Sequence, residues 1–280
     1  ALPICLTTIT FVKIGYIGTT IIIEALLDER SARKDIKIRV VSCSVSMEVE
    51  DSEEVARMAA DIESDLYVIV SPNAALAGPK AARKVLEETG KPLILVSDEP
   101  SRKYMKALPE EIGYMVVYGD PMISAKSVYL DPIEMALFNS DILRVLSVTG
   151  AFRLIQSELD KVIDSIKAGD KPELPRLIVT KKRALAASEL QNPYAQGKAI
   201  AAYEISRGVS KLSTEAVFKL KDRNDAIPVL VAAHEAARQA AKLADEAREL
   251  EKSNDSVVRI AHFSKGNRRR KEGLWNKFDK

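Results

Sequence analysis

Three apolar runs do most to limit the fold of this chain. Leu66–Val70 (LYVIV), Pro92–Val96 (PLILV) and Gly113–Tyr118 (GYMVVY) show no polar alternation. A strand with one wet face alternates apolar and polar residues, so unbroken runs imply strands buried on both faces. Each run stops at small or polar residues: Ser71-Pro72-Asn73, Ser97-Asp98-Glu99-Pro100 and Gly119-Asp120-Pro121. Helical patterns fill the intervals. Val55, Met58, Ala59 and Ile62 repeat at helical spacing within Ser52–Ser64, and Pro79–Thr89 ends on Gly90, as a glycine C-cap expects. Upstream, Ile9–Ile14 and the β-branched Ile36–Cys43 (IKIRVVSC) read as two more strands, with a helix over Thr19–Glu29. Strands alternating with helices predict an α/β, Rossmann-like parallel sheet domain over residues 1–129.

The pattern changes at Asp131. Asp131–Lys167 reads as near-continuous helix with Asp131-Pro132 as N-cap and first residue, broken at Thr149-Gly150 and ended by Gly169-Asp170-Lys171-Pro172. Arg176–Lys181 and Glu215–Lys221 read as strands of a small β-sheet, Tyr194–Arg207 and Pro228–Lys252 as helices. Residues 130–258 are thus expected to form a helical bundle region with a small β-sheet insert, followed by a basic tail over 259–280. That tail has eight Lys/Arg against two Asp/Glu, net +6, so residues 1–258 carry −4 against the whole-chain +2. A mobile, solvated tail is the expectation, because aromatics are seldom interleaved in its Arg268-Arg269-Arg270-Lys271 cluster.

Residue scarcity narrows the chemistry. The 280 residues include two cysteines, Cys5 and Cys43, and two histidines, His234 and His262. A four-ligand zinc site and a disulfide framework are out of reach, so no metal is expected and a reducing cytoplasm is the default. Ala1–Val12 is apolar without a basic lead-in, and no run approaches the roughly 20 residues a membrane helix needs. A soluble protein with no membrane or nucleic-acid partner follows.

In open α/β sheets, ligands sit at the carboxyl ends of the strands. Gly15-Tyr16-Ile17-Gly18-Thr19-Thr20 follows the first strand and opens a helix, where glycines admit a ligand and a helix N-terminus favours phosphate. The same pattern fits a tight turn with no ligand. Four polar loops on one edge favour a cleft. The second strand ends Ser42-Cys43-Ser44, without the acidic residue that ordinary NAD binding requires. Glu134 and Asp141 are seven apart, near one helix face, with Arg144 placed to pair with Asp141. His234-Glu235 lies in an Ala-rich helix, and a single His there reads as structural or surface.

Asp131-Pro132-Ile133-Glu134-Met135-Ala136, then Asn139, Asp141 and Thr149-Gly150-Ala151-Phe152-Arg153, resembles the archaeal methylenetetrahydromethanopterin dehydrogenases that use coenzyme F420. Leu26–Arg30, Asn192–Ala195, Ala233–Glu235 and Leu243–Asp255 extend the resemblance in order, up to the basic tail. The resemblance implies reversible hydride transfer between 5,10-methylenetetrahydromethanopterin and F420, a diffusible cosubstrate, with no metal and no tightly bound prosthetic group. It implies an α/β domain, a helical part, a small sheet, and a homo-oligomer: a hexamer built from dimers. In that setting Glu134 and Asp141 are the catalytic candidates, stabilising the methenyl cation left when hydride departs. Asp131, Asn139, Arg144, Arg153 and Glu235 are the pterin-side candidates. Lys13, Gly15, Gly18, Thr19, Thr20, Asn73, Ser97, Asp98 and Asp120 are the coenzyme-side candidates.

The departures cluster on the coenzyme side. The family's first loop typically reads Cys-Gly-Asn-Leu-Gly-Thr-Ser, where this chain has Ile14-Gly15-Tyr16-Ile17-Gly18-Thr19-Thr20. A pterin-binding paralogue with altered or lost cofactor use therefore stands beside the dehydrogenase reading, and a nicotinamide-dependent dehydrogenase stands behind both.

Overall fold

A computed structural model describes residues 6–122 and 130–279. Cys5 and the expected division at residue 129 lie outside those residues. Five strands form where the apolar patterns place them: β1 Thr7–Lys13, β2 Ile36–Ser42, β3 Leu66–Ser71, β4 Leu93–Asp98 and β5 Ile112–Val117. β3, β4 and β5 are buried at every position, which is what unbroken apolar runs require. The sheet is parallel throughout, in the order β2-β1-β3-β4-β5-β6. From β1 the chain runs outward to β2, then returns across β1 to β3. The crest between β1 and β3 is therefore the topological switch point, where a ligand crevice opens in such sheets. The helix expected over Thr19–Glu29 is divided into α1 Gly18–Ile22 and α2 Ala25–Asp28. α3 Val49–Ala60, α4 Ala77–Glu87 and the short α5 Arg102–Lys106 complete this part.

The sixth strand corrects the sequence reading. β6 Arg176–Val179 does not build a small separate sheet; it pairs with β5 in parallel, Tyr114 opposite Arg176. α6 Pro132–Val148 and α7 Ala151–Ala168 are the crossover that carries the chain there. Its expected partner, Glu215–Lys221, is not a strand: Glu215–Lys219 is a π-helical turn joining α9 Pro193–Thr214 to α10 Arg223–Ser253, with α8 Lys181–Ser188 preceding α9. A five-residue run such as EAVFK has no decisive period, and the helix before it propagates into it. α9 and α10 pack along alanines: Ala195, Ala199 and Ala202 face Ala240, Ala241, Ala244 and Ala247, all buried with Val145 and Val148 of α6. Residues this small let the helix axes approach closely. No described helix is long and apolar enough to cross a membrane.

The small antiparallel sheet is in the basic tail, which is a folded hairpin and not a solvated extension. β7 Arg259–His262 pairs with β8 Arg268–Lys271. Asp160 of α7 anchors it: His262 Nε2 lies 2.8 Å from its carboxylate, Arg268 Nη1 3.3 Å and Arg33 Nη1 3.5 Å. Arg33 also pairs with the fully buried Asp35 at 2.8 Å, and Lys167 reaches the same carboxylate at 2.8 Å. Burial alone would raise the Asp35 carboxyl, but hydrogen bonds from Arg33 and Lys167 outweigh it and hold it at about 2. The clustered basic residues are thus partly spent inside the molecule, on carboxylates distant in sequence.

Gly150 makes the turn between α6 and α7 at φ +87°, and a Cβ there would lie 2.2 Å from the Ala184 carbonyl oxygen. Gly90 also has positive φ, but open space around it. Gly90→Ala should lose about 1–2 kcal/mol, the backbone term alone. Gly150→Ala adds a collision with fixed backbone and should lose more than about 3 kcal/mol. Chemical denaturation of both variants checks this; equal losses would mean the α7–α8 contact yields easily.

Candidate active site

Two regions were expected to bind ligands, and the structure treats them differently. The first is a cavity of about 670 Å³ between α6 and α10. Asp131 caps α6, its Oδ1 accepting the Ile133 and Glu134 amides at 2.8 Å each. Glu134 and Asp141, two helical turns apart, both line the cavity, as do Arg144 and Glu235. Arg144 lies 3.6 Å from Asp141, the pairing that the three-residue spacing predicts, and 3.3 Å from Asp245 of α10. Burial raises the Asp141 carboxyl, opposed by Arg144 and Arg238. Glu235 sits at the exposed rim, 3.6 Å from Arg238. The rest is mixed: Leu130, Leu137, Phe138, Ile227, Leu230 and Val231 are apolar, and Arg223, His234, Arg238 and Lys242 of α10 are polar or basic. Such a site accepts a flat ring on its apolar wall and faces it with carboxylates from α6 and with basic side chains of both helices, so charged groups of either sign on a ligand can be met.

Three of the pterin-side candidates do not line this cavity: Asp131, which caps α6, Asn139 and Arg153. Asn139 is half-buried and outside the cavity lining. Arg153 donates to the Ser188 carbonyl at 3.4 Å and the Val258 carbonyl at 3.1 Å, joining α7 to the end of α8 and to the segment before β7. Its guanidinium holds elements together and has no place at the Glu134–Asp141 cavity. Conversely, Phe138 and His234 line the cavity with their rings 5.3 Å apart; the sequence reading passed over Phe138 and took His234 as a structural or surface residue. For Phe138 a signal was present, since positions 134, 138 and 141 repeat at helical spacing on α6; for His234, on α10, there was none.

The second region is the crest of the sheet. All nine coenzyme-side candidates lie in its loops or just beneath them, yet of the nine only Asn73 keeps appreciable surface. Their polar groups are satisfied internally. Asp120, fully buried, accepts the Gly18 amide at 2.6 Å, the Thr19 amide at 2.9 Å and the Thr19 hydroxyl. The anion-favouring end of α1 thus already holds an anion, the protein's own. Thr20 Oγ1 accepts the Ile17 amide, Ser97 Oγ accepts the Ala74 amide, and Asn73 Oδ1 accepts the Ala75 amide. Asp98 accepts the Glu99 amide at 2.5 Å, with Ser210 Oγ at 3.5 Å, and burial raises its carboxyl well above the usual range. Lys13 Nζ sits 2.7 Å from the Glu24 carboxylate. Gly15, at φ +73°, donates to the Ser44 carbonyl, and a Cβ there would meet Pro72 and Met47 at 3.0–3.1 Å. α9 covers the β4–β5 end, Ser206 Oγ donating to the Gly119 carbonyl and Arg207 lying 3.3 Å from Glu99. Sequence loops rich in Ser, Asp and Gly therefore overstate the open surface. The exposed rim consists of Asn73, Tyr16 and Leu76.

Asp120 gives this crest a pH signature. Burial raises its carboxyl to about 6, despite the Thr19 and Gly18 donors that oppose it. Folding therefore favours the protonated form: the contribution to stability is complete below about 3.8 and is lost as pH rises through about 6. That difference is worth about 3 kcal/mol. Asp120→Asn should flatten the unfolding free energy between about pH 4 and 6.5 by that order. Identical pH profiles for the two proteins would place the titrating group elsewhere.

Comparison with known proteins follows the whole chain. A family model described as methylene-5,6,7,8-tetrahydromethanopterin dehydrogenase matches residues 7–279, so the match runs through the basic hairpin, where the sequence resemblance was expected to stop. The chain is 48% identical over 255 residues to the F420-dependent methylenetetrahydromethanopterin dehydrogenase of Archaeoglobus fulgidus, covering 91% of this chain and 92% of that one. It is 41% identical over 271 residues to the enzyme of the same name from Methanocaldococcus jannaschii, covering 96% and 98%. A solved F420-dependent methylenetetrahydromethanopterin dehydrogenase, in complex with methylenetetrahydromethanopterin and coenzyme F420, superposes with a TM-score of 0.94 at 39% identity, covering 98% of this chain and all of that one. With its sheet, its crossover helices and its C-terminal hairpin all inside that match, the chain belongs to the methylene-5,6,7,8-tetrahydromethanopterin dehydrogenase family.

Proposed function

We propose that this chain is an F420-dependent methylenetetrahydromethanopterin dehydrogenase, and that the α6–α10 cavity receives the pterin. The observation that carries the placement is the pair Glu134 and Asp141, both lining one cavity whose apolar wall is formed by Leu130, Phe138, Ile227 and Leu230. F420 serves as the hydride acceptor. When the methylene C–H bond breaks, its electron pair leaves with the hydride and the substrate carbon becomes a cation shared between two nitrogens. The protein's part is placement and field: apolar walls orient the ring, and the two carboxylates lower the energy of the developing charge. Arg144, held between Asp141 and Asp245, keeps the second carboxylate fixed. On the coenzyme side, Asp120, Thr19 and Ser97 act by holding the crest loops in shape, and the rim around Asn73 and Tyr16 offers contact surface.

The finer setting is part of the same reading. A homo-oligomer, a hexamer built from dimers, is supported by large apolar side chains left on the surface: Ile133 at 68% exposure, Leu137 at 62% and Phe218 at 70%. A cytoplasmic enzyme without nucleic-acid or membrane partners agrees with the free thiol of Cys43 and with basic side chains already paired to Asp160, Asp164 and Glu189.

Purified protein mixed with methylenetetrahydromethanopterin and F420 should bleach the deazaflavin absorbance, and methenyl substrate with reduced F420 should restore it. No change in either direction overturns the assignment. Glu134→Gln should lower kcat on the order of 100-fold with the melting temperature unchanged. Arg153→Lys, outside the cavity, should leave KM for the pterin unaltered while lowering thermal stability. The reverse pattern would move the pterin site toward Arg153.

A further inference from the structure

One polar group in the α6–α10 cavity is explained neither by the fold nor by the carboxylate pair. His234 lines the cavity from α10, its ring tilted 46° against Phe138. Among the described residues it makes no hydrogen bond, and Nε2 is sealed from solvent with no partner. A buried donor or acceptor without a partner costs about 1–3 kcal/mol, and orphaned N–H groups are the rarer of the two in native structures. Nε2 is therefore the wrong nitrogen for a proton. Nδ1 is not among the sealed atoms, which leaves it as the ring nitrogen open to a ligand in the cavity that His234 lines. The charged residues that line the cavity with it are Glu134, Asp141 and Arg144 of α6, and Arg223, Glu235, Arg238 and Lys242 of α10. The carboxylates pull the imidazole toward the charged form, but burial outweighs them and lowers its pKa below the ordinary value. The ring is thus a neutral donor at neutral pH.

We propose that His234, as the Nδ1–H tautomer, is a substrate-binding residue that donates a hydrogen bond to an acceptor on the pterin ring beside Glu134 and Asp141. The inference rests on the proposed function, since it assigns a contact within that same cavity. Neutrality has a purpose here. A neutral donor orients the ring without opposing the cation that forms on the substrate, and an imidazolium at the same place would repel it.

Two amide substitutions separate the nitrogens: Asn places its NH₂ near the position of Nδ1, Gln near that of Nε2. His234→Asn should keep KM for methylenetetrahydromethanopterin within about 2-fold of wild type, and His234→Gln should raise it roughly 5- to 10-fold. KM for F420 should not move in either. A change confined to melting temperature, equal pterin KM in both variants, or a shift in the F420 constant instead would overturn the assignment. A second measurement needs no variant. In ¹⁵N-histidine-labelled wild type, adding methenyltetrahydromethanopterin should shift the His234 Nδ1 resonance and leave His262, held on Asp160, in place. Turnover in wild type with an unmoved His234 signal overturns this inference alone. Absence of both turnover and pterin binding overturns the functional reading and this contact with it.

Discussion

The buried carboxylate of Asp120 is the interaction around which the upper edge of the sheet is arranged. It follows β5, lies 101–102 residues from its partners, and binds the first turn of α1 through two amides and a hydroxyl. α1 leads out of β1, so this contact ties the β1 loop to the end of β5, three strands along the sheet order. Burial opposes the charge, and the donors at the helix end compensate it in part. The consequence is a crest whose loops are fixed before any ligand arrives. Gly18 belongs to the same fit, since a Cβ would lie 2.8–2.9 Å from Ile142 and Asp120. That contact also brings α6 against the crest, so the helix carrying Glu134 and Asp141 is referenced to the sheet.

A second constraint fixes the other wall of the cavity. The alanine seam between α9 and α10 holds α10 close to α6 at one end, where Val145 and Val148 join it. Toward Leu130 and Arg223 the same helices diverge and larger side chains line the space between them. The cavity is thus the open end of a packed seam, with charges supplied by whichever faces of α6 and α10 remain unpacked. Asp245 of α10 reaching Arg144 of α6 fastens the transition between the closed and open parts.

The candidate site was legible in unequal measure. Glu134 and Asp141 were readable because a seven-residue interval on one helix places them on one side regardless of what packs there. Arg144 followed from its spacing to Asp141. Arg153, in the same stretch of chain, could not be sorted from them: its partners are the Ser188 and Val258 carbonyls, one of them 105 residues away. His234 and Phe138 meet across two helices separated by nearly a hundred residues, and neither residue carries a local sign of the other. At the crest the residue types were correct for a polar edge, but polarity in a loop does not tell a donor offered to a ligand from one consumed by the loop.

The sequence by itself determined the parallel sheet, its five leading strands, the break at Gly150 and the capping of α6. Each depends on local quantities: apolar period, a positive φ open chiefly to glycine, and a side chain two or three residues from the amide it caps. Only the tertiary structure decided that β6 completes the large sheet, that EAVFK is a helical turn, and that the basic tail is a hairpin. A four-residue strand forms where an unpaired edge awaits it. Arg33 finds one carboxylate two residues along, at Asp35, but its second partner Asp160, the Asp160–Arg268 pair and the Lys167–Asp35 pair all join residues more than a hundred apart, so the cost of desolvating these charges is offset only once the chain has folded.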